Sequence, residues 1–226
     1  MIEWLLINTG LLVIAYFLGS IPTGYAIGRW FYNVDILAEG SGSTGATNIL
    51  RTLGKLPALL VLAIDILKGT LAVLLVFWVY SLSVMAELAT TAGIQQLDIW
   101  QNWTAVLAGL IVVLGHTKSI WIGWRGGKSV ASSLGILLAL DWKLALATLG
   151  IFALVLAISR IVSLSSISGA IGIAILMIAT GEPQPYQIFA LAGGLYVIWR
   201  HRSNIDRILK GTEPRVGEKL TTPVES

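Results

Sequence analysis

Long apolar runs separated by short polar stretches set the plan of this chain. The runs cover about Trp4–Gly28, Pro57–Met85, Trp103–Leu114, Val130–Leu140, Leu144–Ile158, Leu164–Thr180 and Tyr186–Trp199. A straight helix needs about 20 residues to cross a bilayer. The first two runs meet that length easily, although Gly19-Ser20-Ile21-Pro22 interrupts the first. Trp103–Leu114 and Val130–Leu140 fall short, and they flank one polar loop. Backbone without hydrogen-bond partners cannot face lipid. The loop between them is therefore expected below the headgroups, in a cavity walled by protein. The fold class expected is an all-α integral membrane protein with seven transmembrane helices. It forms one domain, residues 1–213, followed by a polar tail at 214–226. The stretch Ala86–Gln101 reads as a long external loop without evident chemistry, and all nine Trp lie near run ends, as an interfacial belt requires.

Composition agrees with that plan. Hydrophobic residues make up 56% and charged residues 12%, where a soluble domain carries about 25% charged residues. Mean hydropathy is +0.82. The absence of Cys excludes disulfides, thiolate metal sites and thiol nucleophiles. The only imidazoles are His116 and His201. The first cation is Arg29, so the opening segment lacks the basic start of a signal peptide and is expected to stay as a span.

The net charge of +3 says little, but the placement of the charges says more. With seven crossings, every Lys and Arg falls on one side except Lys143, on the other, and Lys68, inside the second run. The cation-rich side is expected to be cytoplasmic. That puts the N-terminus outside and the C-terminus in the cytoplasm.

Four polar patches fall on the cation-rich side. The first joins Gly19–Tyr25 to Gly40–Arg51. Its glycines, Gly40, Gly42 and Gly45, let N–H groups and hydroxyls approach an anion. Ser41, Ser43, Thr44, Thr47 and Asn48 offer donors, and Arg51 offers a planar fork that suits phosphate. Taken alone, the same glycines fit a flexible linker equally well. The second patch runs from Gly115-His116 to Ser129. Its Arg125-Gly126-Gly127-Lys128 brings two cations round a diglycine turn just before a helix, whose N-terminus adds partial positive charge. It lacks the glycine spacing and the preceding strand of a nucleotide-binding P-loop. The third is Arg160–Ser166, where Ser163 or Ser165 suits a helix cap. The fourth is His201–Glu213. There His201 and Asn204 share a helical face that Arg207 continues. By itself that patch also fits a basic helix touching anionic lipid. Asp65 and Lys68 lie within the second run, where ionisable groups are costly unless paired. They read as an ion pair supporting the site, with direct substrate contact as the alternative.

Together, Gly19-Ser20-Ile21-Pro22, Ser41-Gly-Ser-Thr-Gly-Ala-Thr-Asn48 with Arg51, Gly115-His116 with Arg125-Gly-Gly-Lys128, Asp65-x-x-Lys68-Gly69 and His201-Arg-x-Asn204-Ile closely resemble the bacterial acyl-phosphate:glycerol-3-phosphate acyltransferases, the PlsY family. The resemblance covers Leu18 to Glu213 in the family's order. It implies a seven-helix enzyme of the plasma or inner membrane with its site on the cytoplasmic face. It further implies acyl transfer from acyl phosphate to sn-glycerol 3-phosphate, giving lysophosphatidic acid and phosphate for phospholipid biosynthesis. No cofactor, metal or nucleic acid is expected, and an enzyme that forms acyl phosphate is a candidate upstream partner. This chain has Ser43 where the family usually has Asn, and Trp124-Arg125 where it has Phe-Lys.

The resemblance points to Ser41, Gly42, Asn48 and Arg51 as phosphate-binding residues, together with Arg125, Gly126, Gly127 and Lys128, and leaves open whether Arg125 or Lys128 leads. His201 and Asn204 are expected to orient the acceptor, with Ser41 also at the reacting centre. His116 is either a base or a brace for its loop, and Ser163 and Ser165 support the site. A rival reading is an organic-phosphate or anion transporter, which short helices and buried cations also fit. It calls for inverted halves and a polar patch on the outer side, and neither is visible. His201 and Asp206 reproduce a His-x-x-x-x-Asp spacing of other glycerolipid acyltransferases. On a helix, however, the two point about 140° apart.

Overall fold

The first apolar run breaks at its proline. In this computed structural model, which describes residues 1–218, α1 covers Ile2–Ser20 and α2 covers Thr23–Phe31. Lys219 and the rest of the expected tail lie outside the described residues. Pro22 has no N–H to offer a helix, and the carbonyls freed at the break find other donors. Ser119 Oγ donates to the Ser20 carbonyl, and Lys68 Nζ donates to the Ile21 carbonyl at 3.1 Å.

The remaining helices are α3 (Ala46–Thr52), α4 (Lys55–Tyr80), α5 (Ser83–Thr91), α6 (Leu97–Thr117), α7 (Val130–Leu140), α8 (Trp142–Ser159), α9 (Val162–Ala179), α10 (Gln184–Arg200) and α11 (Arg202–Leu209). Among the described residues, α1, α4, α6, α8 and α9 are long and apolar enough to cross a membrane. The α7 helix has 11 residues and α10 has 17.

Glycines set the closest helix crossings. A Cβ on Gly19 would strike the Val112 backbone, and one on Gly115 would strike the Tyr16 carbonyl, so α1 and α6 meet main chain to main chain. The α4–α7 crossing is built the same way, with Gly69 against the Ser132 carbonyl and Gly135 against that of Ile66. Small residues permit such approach where apolar driving force between helices is weak. They fix the short α7 against α4, and with it the loop that leads into α7.

Three expectations are corrected here. The third apolar run is not short, because α6 has 21 residues. Its first turns carry Asp98, Gln101 and Asn102, which hide it from a hydropathy reading, yet Asn102 Oδ1 accepts a hydrogen bond from Tyr186 at 2.9 Å. The stretch Ala86–Gln101 is consequently not a loop. It holds most of α5, anchored by buried Met85 and Ala89, and the start of α6. Finally, Trp4 is fully buried, edge-on to Tyr80 at 5.6 Å and to Trp100 at 5.9 Å, so it belongs to the core rather than to an interfacial belt.

Candidate active site

Asn48 organises the first patch. Its Oδ1 accepts the Ser41 N–H at 2.8 Å, and its Nδ2 donates to the carbonyls of Ile36 (3.3 Å), Glu39 (3.1 Å) and Ser43 (3.0 Å). The side chain is 1% exposed. Gly40 and Gly42 sit at φ +57° and +64°, and a Cβ on Gly40 would collide with the Asn48 amide. This is a wound loop with a fixed centre, so the flexible-linker reading fails. Its hydrogen bonds also spend the Asn48 amide on the loop. Asn48, which also lines the cavity, thereby shapes the wall that Ser41 and Arg51 present.

The loop from α6 to α7 is held at both ends. Tyr16 donates to the Lys118 carbonyl at 2.9 Å, Trp121 Nε1 donates to Ser20 Oγ at 3.0 Å, and the Ser119 N–H donates to the Arg125 carbonyl at 3.1 Å. Arg125 ends on the outside of this turn, exposed, whereas Lys128 enters the protein. The diglycine packs on His116 and does not line the cavity. A Cβ on Gly126 would hit the His116 carbonyl, and one on Gly127 would hit the His116 ring. The Gly127 N–H is already donated to the His116 carbonyl at 3.2 Å, and its carbonyl accepts from Arg200 at 2.9 Å. These glycines exist so that the turn can lie on His116.

His116 is itself held from behind. Lys68 Nζ lies 2.9 Å from His116 Nδ1 and 2.8 Å from Asp65 Oδ1, and Thr23 donates to the same carboxylate oxygen at 3.1 Å. An ammonium has only hydrogens to offer, so Nδ1 accepts and Nε2 carries the ring proton. The expected Asp65–Lys68 pair is present, both partners buried.

The C-terminal patch closes the ring. His201 lies at the junction of α10 and α11, and its Nδ1–H donates to the Val197 carbonyl at 2.7 Å. Nε2 is thereby left with its lone pair. Burial pushes the His201 pKa down to about 4, so the ring is neutral at pH 7. Lys128 Nζ donates to Asn204 Oδ1, and Asn204 Nδ2 donates to Glu213 Oε1 at 2.6 Å. Glu213 also accepts from Ser163 Oγ at 2.8 Å and from Arg207 Nε at 2.7 Å. Burial works to raise the Glu213 carboxyl, but the hydrogen bonds from Asn204, Ser163 and Arg207 outweigh it and hold the group below the usual range. Burial takes Lys128 down to about 8, with Arg207, Arg51 and Arg200 adding to the effect and Glu213 opposing it. Burial likewise lowers Arg51 from its ordinary value, against the pull of Glu213.

Neither Ser163 nor Ser165 caps α9. Ser163 reaches Glu213 instead, and Ser165 Oγ donates to the Ile161 carbonyl within the helix. The cavity also holds Glu213, and Arg200 braces the loop beside it through the Gly127 carbonyl; neither stands out in the sequence as a site residue. The signal for Glu213 was a lone acid following Arg207 in a strongly basic segment. Arg200, next to His201, carries in the sequence only the signal of a topological charge.

All four patches meet at one cavity of about 620 Å³. Ser41, Arg51, Lys128, His201, Asn204 and Glu213 line its polar end, and residues of α4, α7, α8, α9 and α10 make the rest predominantly apolar. Arg125, Gly42, Gly126 and Gly127 are not among the lining residues. A pocket charged at one end and greasy along its length suits an amphiphile with an anionic head.

Residues 9–211 match the family described as glycerol-3-phosphate acyltransferase. The chain belongs to that family. A glycerol-3-phosphate acyltransferase of Trichodesmium erythraeum is 60% identical over 222 residues, covering 98% of this chain and 97% of the relative. The crystal structure of PlsY (YgiH), an integral membrane glycerol 3-phosphate acyltransferase, in its glycerol 3-phosphate form superimposes with a TM-score of 0.80. It is 33% identical over 93% of this chain and 96% of that one. Its lysophosphatidic acid form gives a TM-score of 0.77 at 32% identity, covering 93% and 95%. The protein is thus an integral membrane acyltransferase of the PlsY type, and the transporter reading is not favoured.

Proposed function

We propose that this enzyme transfers an acyl group from acyl phosphate to glycerol 3-phosphate, releasing lysophosphatidic acid and phosphate, at a site facing the cytoplasm. The observation that carries this reading is the shared cavity of Arg51, Lys128 and Asn204, continuous with an apolar groove. An acyl phosphate is an activated anhydride with an anionic head on a lipid tail, which is the shape of that space.

The seven spans are α1, α4, α6, α7, α8, α9 and α10, with the N-terminus outside and the C-terminus in the cytoplasm. The cation bias supports this orientation. At 1.5 Å per residue, α7 spans about 16 Å, roughly half of a bilayer core. That length supports placing the α6–α7 loop, and Lys128 with it, below the headgroups.

The chemistry asks the protein for position and charge. Arg51 and Lys128 hold the two phosphates side by side, with the Ser41 hydroxyl as a further donor. The His201 Nε2 lone pair accepts the glycerol hydroxyl and aims its oxygen at the acyl carbon. The new ester C–O bond forms as the bond to phosphate breaks, and the hydroxyl proton leaves with the phosphate. His116, engaged by Lys68 and covered by Gly127, braces the loop that carries Lys128. Preorganised donors and proximity supply the acceleration.

The test is turnover by purified protein given acyl phosphate and glycerol 3-phosphate, with acyl-CoA as the control donor. Lysophosphatidic acid should form only with acyl phosphate, and Arg51→Ala, Lys128→Ala and His201→Ala should each lose most of the activity. Near-normal rates in all three variants would remove the proposal.

A further inference from the structure

The cavity opens sideways. Among the described residues that line it, those on α7, α9 and α10 are buried or half-buried. The exposed apolar ones are Leu59 and Leu62 on α4 and Leu149 on α8, at 61%, 37% and 41%. A side chain that lines a cavity and is also exposed marks a mouth. Both helices are long and apolar enough to cross a membrane, so this mouth faces hydrocarbon. Ser41, at the polar end, is exposed too, which gives the polar half of the cavity its own way out.

The mouth carries a cation at one end. On α4, Lys55, Leu59, Leu62 and Ile66 recur at helical spacing and all line the cavity, so they form one stripe. The close crossing with α7 comes at Ile66 and Gly69, which leaves Lys55 and the two leucines on the N-terminal side of it. Lys55 is the first residue of α4, exposed, and lines the same cavity as Arg51. No carboxylate among the described residues lies within ion-pair distance of it. A cation above a strip of leucines complements an anionic head above a hydrocarbon tail.

We infer that the tail of the donor, and then of the product, passes between α4 and α8 into the bilayer, and that Lys55 receives the anionic head at this portal before Arg51 and Lys128 take it. This rests on the acyl-phosphate reading above. A tail that stays in hydrocarbon throughout never has to cross water, and glycerol 3-phosphate, which has no tail, enters at the polar end.

The chain has no Cys, so single cysteines can be labelled cleanly. The experiment places one at Leu62 or Leu149, in the portal, or at Leu60 or Leu154, which are 49% and 63% exposed on the same helices but do not line the cavity. Each variant is alkylated in liposomes with pyrene maleimide, labelling is confirmed by intact mass, and turnover of hexadecanoyl phosphate is compared before and after. Alkylation of Leu62→Cys and Leu149→Cys should lower turnover by about tenfold or more, the scale of forcing bulk into a packed passage. Alkylation of Leu60→Cys and Leu154→Cys should lower it less than about twofold, as expected of surface positions. Radiolabelled glycerol 3-phosphate should bind all four alkylated proteins equally well, and weaker binding at the portal positions would assign the block to the head site instead. Lys55→Ala needs no label. It should raise KM for hexadecanoyl phosphate about fivefold, the worth of one cation beside an anionic surface, and leave KM for glycerol 3-phosphate unchanged. An unchanged donor KM in Lys55→Ala, or losses no larger at Leu62 and Leu149 than at Leu60 and Leu154, would overturn the inference. If the unmodified wild-type protein forms no lysophosphatidic acid from hexadecanoyl phosphate, the donor reading falls and this inference falls with it.

Discussion

Two buried polar networks tie this helix bundle together, and they differ in a way that separates structure from function. Toward the N-terminal ends of α1 and α6 and the C-terminal end of α4, Tyr80 and Thr104 donate to Asn8 Oδ1 at 2.7 and 2.9 Å, and Asn8 Nδ2 turns back to the Trp4 carbonyl at 2.8 Å. Every member is neutral, and none of them lines the large cavity. At the other end, Lys128, Asn204, Glu213, Ser163 and Arg207 form a comparable chain of bonds across the α7 loop, α9 and α11. This second network has more cations than its one carboxylate neutralises, and it borders a void. Satisfied hydrogen bonding is common to both, since buried polar groups must be paired. Excess positive charge lining a cavity is what marks a place where an anion belongs.

The comparison is tested most severely by removing charge from the second network. Lys128→Ala should lower kcat/KM by at least about 100-fold, the usual scale for losing one preorganised charged donor. Arg125→Ala, which removes an exposed cation of the same loop outside the cavity, should change kcat/KM less than about threefold, in keeping with the small worth of exposed charges. Equal losses in the two variants would erase the distinction between charge at the void and charge at the surface.

The next effect is on pH. Burial brings Lys128 to about 8, so it is cationic below that value and loses its proton as pH rises through it. kcat/KM should therefore fall above about pH 8, about tenfold per pH unit once the amine is mostly neutral. A bound phosphate stabilises the ammonium, so the corresponding limb in kcat should lie at higher pH. Lys128→Arg should abolish the limb, because a guanidinium stays charged. Glu213→Gln, which removes the anion opposing deprotonation, should move it to lower pH. A limb that persists unchanged in Lys128→Arg would assign it to another group.

The smallest effect belongs to the neutral network. Tyr80→Phe should cost about 1 kcal/mol of stability, the net worth of one hydrogen bond, and leave kcat/KM within about twofold. A thermal melt and a rate measurement on the same sample read both. A large loss of activity there would mean that the neutral network is coupled to the chemistry.

The apolar runs made most of the helices legible, including the Pro22 break and the short α7, whose bounds match the run Val130–Leu140. The start of α6 was hidden because Asp98, Gln101 and Asn102 lower its hydropathy, and a hydropathy average cannot see that Asn102 is bonded to Tyr186 on another helix. At the site, the convergence of patches was readable from composition, since Ser41, Arg51, Lys128, His201 and Asn204 each carry a chemistry that stands out. The division of labour was not. Whether an asparagine such as Asn48 serves the loop or the substrate, and whether Gly126 and Gly127 cradle an anion or admit the His116 ring, depends on distances to residues remote in the chain. The choice between Arg125 and Lys128 is a matter of which way a turn faces. Glu213 was missed because its meaning lies in three partners, Ser163, Asn204 and Arg207, of which one lies fifty residues away.

The central claim is that cations from distant parts of the chain act on one pair of phosphates in one pocket. A double-mutant cycle in kcat/KM on Arg51→Ala and Lys128→Ala tests it directly. Groups that work as a unit give strongly non-additive losses, so the double variant should be no more than about tenfold worse than the poorer single variant. If the two losses multiply in full, Arg51 and Lys128 act independently and the shared pocket is contradicted.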